Sequence, residues 1–415
     1  MKILYVSQYF PPEMGAPSAR VHELSREWVR LGHDVTVLTG FPNHPVGVVF
    51  EGYRGEWVRR ETVDGINVIR IPIYAAANKG FFRRVLNYTS FWLSASTFGL
   101  FLSKRPDVLI GTSPQFLTAV AALFIARLKR VPFVFEVRDL WPRSIVEVGA
   151  MKKGSLVIKI LERIERFLYK SADYIVPVTD SFVQEIGAHG VPPGRMSVIT
   201  NGVDLDLFKP RPRDEARAAL ELPPGFLVTY VGTHGMAHGL DLVLDIAKRV
   251  APEGIRFLLV GEGAEKAKLK ERAASEGIEN VTFWDQQPRD KVAQIYSASD
   301  LCLVLLRDLP LFTTVIPSKI FEFMGAGRPI LTTVNGESRG IVERAGAGAF
   351  SPPGNAEALI QAIEAMRREP DRLAVMGRKG REYVEQHYSR PALAGRYLDV
   401  LGRVVRPERR TEVKQ

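Results

Sequence analysis

The chain holds 415 residues, beyond the roughly 250–300 at which a single hydrophobic core stops growing, so two domains of similar size are expected. Hydrophobic residues make up 46% and charged residues 25%, which excludes a disordered or fibrous chain. The 56 Lys and Arg against 46 Asp and Glu give a net charge of +10, which admits anionic partners: nucleic acid, phosphates or an acidic membrane face.

In chain order, residues 3–6, 35–38, 68–71, 108–110, 133–137, 174–178 and 196–199 are short apolar runs separated by segments of helical period. Such alternation predicts βαβ units around a parallel sheet. The first helix is the clearest: Pro17 and Ser18 open it, Val21, Leu24, Trp28 and Leu31 share a face, and Gly32 closes it. Ile3-Leu-Tyr-Val runs directly into polar Ser7 and Gln8, short of an export signal's apolar core, so a cytoplasmic location is expected.

After the first run comes Phe10-Pro-Pro-Glu-Met-Gly-Ala-Pro-Ser-Ala-Arg20, which delivers Gly15 to the start of the helix. Backbone N–H groups and the helix dipole there suit a phosphate or sugar, and an ordinary turn glycine is the other reading. The Gly-x-Gly-x-x-Gly spacing of a nicotinamide or flavin site is absent. From Asn78 to Arg105 the chain has five basic residues, no acidic one and seven aromatics, with Arg83-Arg84 and Lys104-Arg105 flanking an uncharged stretch. Asn87, Thr89, Ser90, Ser94, Ser96 and Thr97 make that stretch too polar to span a bilayer. Two readings remain, an interfacial helix on anionic lipid and a buried helix of the first domain.

The run at 133–137 continues as Phe133-Val-Phe-Glu-Val-Arg-Asp-Leu-Trp-Pro142, placing Glu136, Arg138 and Asp139 at the carboxyl edge of a parallel sheet. Open α/β sheets bind ligands at that edge. Arg138 and Asp139 are either a plain ion pair or a functional one, with Arg138 on an anion or a polar sugar group and Asp139 accepting from hydroxyls or taking a proton.

The rhythm pauses near Asn201-Gly202, passes the Pro/Arg-rich Lys209-Pro-Arg-Pro-Arg213, and restarts with runs at 227–231, 257–260, 281–283, 301–306 and 330–333. Two α/β domains joined near 205–215 follow. Residues 1–205 carry 25 Lys/Arg and 18 Asp/Glu, a net of +7, against 31 and 28, or +3, in the remainder. Asp204-Leu-Asp206 has a metal-binding form, but its place at the junction sets it aside. The single cysteine, Cys302, lies in an apolar run and reads as core, and it excludes an intramolecular disulfide.

In the second half, Tyr230-Val-Gly-Thr-His-Gly-Met-Ala-His-Gly239 is another loop of small residues between strand and helix. Gly232, Gly235 and Gly239 let backbone amides approach a diphosphate, and His234 and His238 can donate to its oxygens. Further on, Val315-Ile-Pro-Ser-Lys-Ile-Phe-Glu-Phe-Met-Gly-Ala-Gly-Arg-Pro-Ile330 contains the helix openers Pro317 and Ser318. Amides near Ser318, Lys319 and Ile320, with the Lys319 ammonium, would meet an anion. One turn later Glu322 could accept two hydrogen bonds from a ribose diol.

Together these stretches resemble the retaining glycosyltransferases of family 4, with the two-domain GT-B fold. The resemblance rests on Leu31-Gly-His-Asp-Val-Thr-Val-Leu-Thr39, Val198-Ile-Thr-Asn-Gly-Val-Asp204, Leu258-Leu-Val-Gly-Glu-Gly263 and Pro317-Ser-Lys-Ile-Phe-Glu-Phe-Met-Gly-Ala-Gly-Arg-Pro329, in that order across nearly the whole chain. The Arg-Asp-Leu-Trp-Pro and Ile-Pro-Ser-Lys forms resemble the branch that builds bacterial surface polysaccharides (O-antigen, capsule, exopolysaccharide), including fucosamine-transferase-like members. The resemblance implies two Rossmann-like parallel-sheet domains facing across a cleft. Residues 1–205 would bind the acceptor and 206–387 the nucleotide sugar, with a helix over 388–405 crossing back to the first domain.

The resemblance also implies donor contacts at Gly15, Gly232, His234, Gly235, His238, Thr314, Ser318, Lys319, Ile320 and Glu322, with Asp139, Arg138 and Lys319 as the catalytic groups. Glu322 matches the family's ribose ligand. Thr314 stands where the family has a second Glu, Thr233 and His238 where it has the Arg and Lys of its phosphate loop, and Arg138 where it has a His. No metal or other cofactor is expected. Amides at Gly15, Gly235 and Ser318, with Lys319 and His234, would stabilise the leaving nucleoside diphosphate, each donor contributing about a few kcal/mol. Front-face displacement with retention is the expected route. The expected partners are a UDP-linked sugar, a lipid-linked or glycan acceptor, and an anionic membrane surface met through Asn78 to Arg105, so the enzyme would sit on the inner face of the cytoplasmic membrane. A nucleotide-sugar 2-epimerase would share the donor pocket but need acid/base carboxylates facing the sugar. A nucleic-acid binder would need cations interleaved with aromatics, whereas here they flank them, so nucleic acid is not expected as a partner.

Overall fold

The computed structural model describes residues 1–76, 81–147, 149 and 151–406. The chain divides into two units, Met1–Thr200 with the segment from Arg390 onward, and Asn201–Ser389, so the first boundary falls a few residues before residue 205.

In the first unit the strands β1 (Lys2–Val6), β2 (Asp34–Gly40), β3 (Arg59–Val63), β4 (Ile66–Ile71), β5 (Val108–Thr112), β6 (Phe133–Val137) and β7 (Tyr174–Pro177) form one sheet in the order β3-β4-β2-β1-β5-β6-β7. Every pairing is parallel except β3 with β4. β5 and β6 are buried at each position, as parallel strands covered on both faces must be. The expected strand at 196–199 is not one. Ser197 and Ile199 donate backbone bonds to Ile175 and Pro177, but Pro177 has no N–H to return, so only an isolated bridge forms. β3 escapes a search for apolar runs because it is Arg59-Arg-Glu-Thr-Val63. Its hairpin is set by Asp64 and Gly65, both at positive φ, the pattern of a tight two-residue turn.

The helix Ala16–Arg30 starts at Gly15, whose φ of 130° and ψ of 162° only glycine adopts without strain. Val21, Leu24 and Trp28 enter the core as expected, but Leu31 lies past the last helical residue and is 57% exposed. The helix Arg390–Val405, expected over 388–405, completes this core with Leu393, Tyr397 and Leu401. The Trp28 indole donates to the Ala394 carbonyl at 3.1 Å and meets the Tyr397 ring edge-on.

The second unit has strands β8 (Phe226–Val231), β9 (Ile255–Val260), β10 (Val281–Trp284), β11 (Leu301–Val304), β12 (Ile330–Thr332) and β13 (Gly348–Phe350), in the order β10-β9-β8-β11-β12-β13 and all parallel. Cys302 is fully buried in β11. Asp204 accepts from the amides of Asp206 and Leu207, so its carboxylate closes a local turn.

The uncharged stretch after Asn78 is the helix Phe81–Leu102; residues 78–80 lie outside the described residues. Neither reading of it holds alone. Asn87, Phe91, Ser94 and Ala95 are buried, and a side chain at Gly99 would collide with Leu38 and Ile125. The opposite face leaves Phe82, Val85, Leu86, Leu93 and Phe101 exposed.

The least expected feature of the first unit is a buried ion pair. Glu136 in β6 accepts from Tyr5 Oη at 2.5 Å, Arg20 Nε at 2.9 Å and Thr112 Oγ1 at 2.9 Å. Burial alone would raise this carboxyl, but the Arg20 and Arg138 guanidinium groups and the two hydroxyl donors hold it below its ordinary value. Arg20 also donates to the carbonyls of Ile199 and Thr200, and Glu23 on the same helix pairs with Arg390 at 2.6 Å. One helix therefore grips the first unit's chain at both of its boundaries. Glu136→Ala, which strands Arg20, should lower the unfolding free energy in urea by about 3–5 kcal/mol at pH 7. Because the folded pKa is depressed, the wild-type advantage should be complete above the unfolded carboxyl pKa of about 4.5 and disappear as the pH falls through the folded value.

Candidate functional site

Each sheet has a point where the strand order reverses, between β1 and β5 in the first unit and between β8 and β11 in the second. Loops leaving the carboxyl ends of such neighbouring strands diverge and leave a crevice, so ligands collect there. The residues singled out from sequence fall at these two edges.

In the first unit, Gly15 ends the loop after β1, and Arg138 and Asp139 follow β6. Arg138 Nη1 lies 3.4 Å from the Pro17 carbonyl, joining the two loops. The amides of Arg138 and Asp139 both donate to Ser113 Oγ, at 2.7 and 3.3 Å. Arg138 Nε is buried without a hydrogen-bond partner among the described residues, so the guanidinium retains a donor for an anion. The simple Arg138–Asp139 ion pair is not formed as a short contact, since Asp139 Oδ2 instead accepts from Ser144 at 3.3 Å. Burial raises the Asp139 carboxyl to about 6, against hydrogen bonds from Ser144, the Leu140 amide and the Trp141 side chain. Glu136, by contrast, is turned inward and spent on the ion pair.

Sequence reasoning missed Glu13. It is buried, accepts from the amides of Asn43 and His44 at 2.9 Å each, and burial raises it to about 7 despite those bonds. No periodicity marks it, because it lies in an irregular loop.

The second unit gathers more groups. Lys319 Nζ lies 3.9 Å from the centroid of the Tyr230 ring. Gly232 makes the room: a Cβ there would sit 2.5 Å from that nitrogen. Burial pushes the ammonium down to about 7, with Glu322 pulling the other way. His234 and His238 flank Tyr230, each with its ring centroid at 6.0 Å. Burial and the Lys266 and Lys319 cations lower His234 to about 4, and burial with Lys319 lowers His238 to about 3. Both imidazoles are therefore neutral at pH 7, each carrying one N–H donor. Among the described residues neither ring nitrogen of His234 has a hydrogen-bond partner within normal geometry, and the residue is fully buried.

The glycines of the Gly261-Glu-Gly263 stretch shape this loop from below. A side chain at Gly261 would strike the Gly232 carbonyl and one at Gly263 the His234 carbonyl. His234 is then pinned by amide bonds to Glu262 and from Glu265. Gly235 opens the short turn Met236–His238, and Arg307, also unmarked in the sequence, holds that turn through the Met236 and Ala237 carbonyls.

Ser318 precedes the helix Lys319–Gly325 without a side-chain capping bond, and the expected row of open amides is shorter than foreseen. The Ile320 amide is taken by the Pro317 carbonyl, and Ile320 itself is fully buried, so it is a core residue. Thr314 donates its hydroxyl to the Leu311 carbonyl at 2.7 Å, leaving it an acceptor for a ligand hydroxyl. Glu322 Oε2 receives the buried Tyr296 hydroxyl at 2.9 Å, which fixes the carboxylate's direction. Tyr230 and Tyr296 were both invisible as site residues, since an aromatic in a strand or helix reads as core. Among the described residues no three His, Cys, Asp or Glu side chains come together as a metal site.

A model of the glycosyl transferase 4-like domain matches residues 15–202, and one of the glycosyl transferases group 1 matches residues 225–369. The chain is 26% identical over 335 residues to the putative colanic acid biosynthesis glycosyl transferase WcaI of Escherichia coli K12, spanning 79% of this chain and 82% of that one. It is 27% identical over 294 residues to the probable glycosyltransferase WbjE of Pseudomonas aeruginosa, spanning 69% and 72%. Among solved structures, Anabaena HepE in complex with UDP superposes with a TM-score of 0.71 at 17% identity, over 97% of this chain and 100% of that one.

The burial of Lys319 has a direct readout. In the free protein carrying 13C-labelled lysine, one side-chain resonance should titrate near pH 7 and vanish in Lys319→Arg, while titration of every lysine above pH 10 would contradict it.

Proposed function

We propose, for a chain that its two matched domains make a GT-B glycosyltransferase of family 4, that it moves a sugar with retention from a UDP-linked donor to a lipid-linked or glycan acceptor in surface-polysaccharide assembly, in the fucosamine-transferase-like branch. The observation that carries this reading is the grouping of Lys319, neutral His234 and His238, and the Tyr296-aimed Glu322 at the reversal point of the second sheet. In this reading the donor diphosphate lies against Lys319 and the imidazoles, the ribose diol donates to Glu322, and a sugar hydroxyl donates to Thr314. The part in colanic acid biosynthesis that WcaI is named for supports the polysaccharide context, and the UDP and UDP-glucose complexes of HepE support the nucleotide.

The anomeric C–O bond to the diphosphate breaks as the acceptor hydroxyl bonds to the same face of that carbon, and the hydroxyl proton passes to the departing phosphate oxygen. The developing negative charge is met by Lys319 and the imidazole N–H groups, a fixed arrangement of donors that gains strength where water is excluded. Arg138 and Asp139 act on the acceptor side, Asp139 by accepting from an acceptor hydroxyl. The reading assigns no role to a metal, so turnover should persist in excess EDTA.

It also places the enzyme at the cytoplasmic membrane face. No described helix is long and apolar enough to cross a membrane. The exposed Phe82, Leu86 and Phe101 are joined by Phe124 and Leu128 of the neighbouring helix Phe116–Lys129, and by Leu156, Val157, Ile160 and Phe167 of Leu156–Ser171. Exposed Arg83, Lys152, Lys153, Lys159 and Arg163 border them, which suits an anionic headgroup layer.

Glu322→Ala and Lys319→Ala should each reduce kcat/KM by about 10²–10³ with unfolding midpoints unchanged. The kcat/KM profile should form a narrow bell, rising as Asp139 ionises near pH 6 and falling as Lys319 deprotonates near pH 7. Asp139→Asn should remove the acid limb and Lys319→Arg the alkaline one; a flat wild-type profile from pH 5.5 to 9 would refute these roles. In flotation with phosphatidylglycerol vesicles the protein should rise with lipid, and Phe82→Asp or Leu156→Asp should leave it at the bottom. Identical flotation of the variants would remove this docking surface.

A further inference from the structure

The loop that leads from β1 to Gly15 is held mainly from outside. In Phe10-Pro-Pro-Glu-Met-Gly-Ala-Pro17 the three prolines have no N–H to donate, and the backbone closes a turn of its own from the Glu13 amide to the Phe10 carbonyl at 3.2 Å. Side chains take other carbonyls of this stretch. Ser7 Oγ donates to that of Tyr9, Arg70 Nη2 to that of Pro11, and Arg138 Nη1 reaches that of Pro17.

Two buried charged residues anchor the loop, and neither has a part in the chemistry set out above. Arg70 of β4 is fully buried. Its Nε pairs with Glu61 Oε1 at 2.6 Å and its guanidinium lies 4.8 Å from the centroid of the Tyr53 ring, so the bond to Pro11 issues from a fixed fork. Glu13, 4% exposed, accepts at Oε1 from the amides of Asn43 and His44, both at 2.9 Å. Those amides belong to the loop after β2, which has its own backbone bonds, Gly47 to Asn43 at 2.6 Å and Phe50 to Pro42 at 2.9 Å. Tyr53 lies on the same loop, so one stiffened segment meets both anchors. An apolar side chain could fill the volume at position 13 without the cost of desolvating a carboxyl, which leaves direction of the backbone as what the carboxyl supplies.

Burial raises the Glu13 carboxyl to about 7. The proton belongs on Oε2, which has no hydrogen-bond partner among the described residues, so both bonds to Oε1 survive in either state. Glutamine, with its carbonyl oxygen in the place of Oε1, keeps the same two bonds.

Resting on the transferase reading, in which the family resemblance sets the Gly15 amide against the leaving diphosphate, we propose that Glu13 is a positioning residue for transfer: bonded to the Asn43 and His44 amides, it fixes the direction of the Gly15 N–H before substrate arrives. An amide donor contributes most to the transition state when it is already aimed at the oxygen that gains charge. A loop free to turn would lose part of that interaction to ordering itself. Gly15 comes two residues after Glu13, at the φ of 130° from which the helix starts, so a shift at Glu13 is passed directly to it.

The test compares Glu13→Ala and Glu13→Gln in the full-length protein by UDP-sugar turnover, amide hydrogen exchange over residues 9–19 and urea unfolding. Glu13→Ala should lower kcat about 10–10²-fold with donor KM within about twofold and should speed exchange of the loop, while Glu13→Gln restores both. A purely structural role would move the urea midpoint and leave kcat of the folded Glu13→Ala enzyme at the wild-type value, which overturns the proposal. Exchange of the loop in Glu13→Ala at the wild-type rate overturns it whatever the enzyme transfers. So does a folded Glu13→Gln enzyme slowed about tenfold, even where Glu13→Ala fails to fold. Absence of turnover of every UDP-sugar by the wild type overturns the transferase reading itself.

Discussion

The second unit is organised around the ammonium group of the half-buried Lys319. Lys319 sits over the face of Tyr230, where a cation–π contact returns about 2 kcal/mol when desolvated, and Glu322 adds its attraction from one turn away. These do not offset the loss of water, so the free site holds a cation whose charge is only half retained at neutral pH. Much of the surrounding sequence follows from admitting it. Gly232 must lack a side chain to leave space for Nζ, Gly261 and Gly263 must lack theirs so that the loop bearing Gly232 and His234 can close down, and the two histidines stay neutral chiefly through burial, with that cation adding to it. In the proposed reading an incoming diphosphate supplies the missing counter-charge.

The first unit treats its own charges in two opposite ways within four residues. Glu136 is fully paired, so it fixes Arg20, the helix behind Gly15 and the chain at Ile199 and Thr200. Asp139, three residues further on, is buried with weaker partners, and its carboxyl is left near 6. A carboxylate held by a guanidinium stays ionised and holds structure together, while one whose hydrogen-bond donors are all neutral keeps its proton to higher pH. Arg138 lies between them, contributing to the first and keeping its buried Nε without a hydrogen-bond partner among the described residues.

How much of this could be read in the sequence depends on how local the signal was. Strands covered on both faces, such as β5 and β6, advertise themselves as apolar runs, and the helix after Gly15 is announced by Pro17, Ser18 and Gly32. Gly232, Ser318, Lys319 and Glu322 could be singled out because glycine loops and helix openers are local patterns, and Gly232 and Lys319 do come into contact. Long-range partnerships left no trace. Nothing within a few residues of Glu322 points to Tyr296, or of Lys319 to Tyr230, and Ile320 looked like an anion contact until its amide and side chain were found taken. β3 was hidden by its charges, the run at 196–199 was undone by a proline on its neighbour, and Leu156, Val157, Ile160 and Phe167 of the exposed apolar patch come from Leu156–Ser171, where residues of ordinary composition turn outward.

In the proposed reading a diphosphate restores the charge of Lys319. Calorimetric titration of UDP at pH 8 in buffers of differing ionisation enthalpy measures this directly, as protons exchanged per ligand bound. Uptake approaching one proton by the wild type, and almost none by Lys319→Arg, is the predicted result. Tight UDP binding with no proton uptake by the wild type would contradict it.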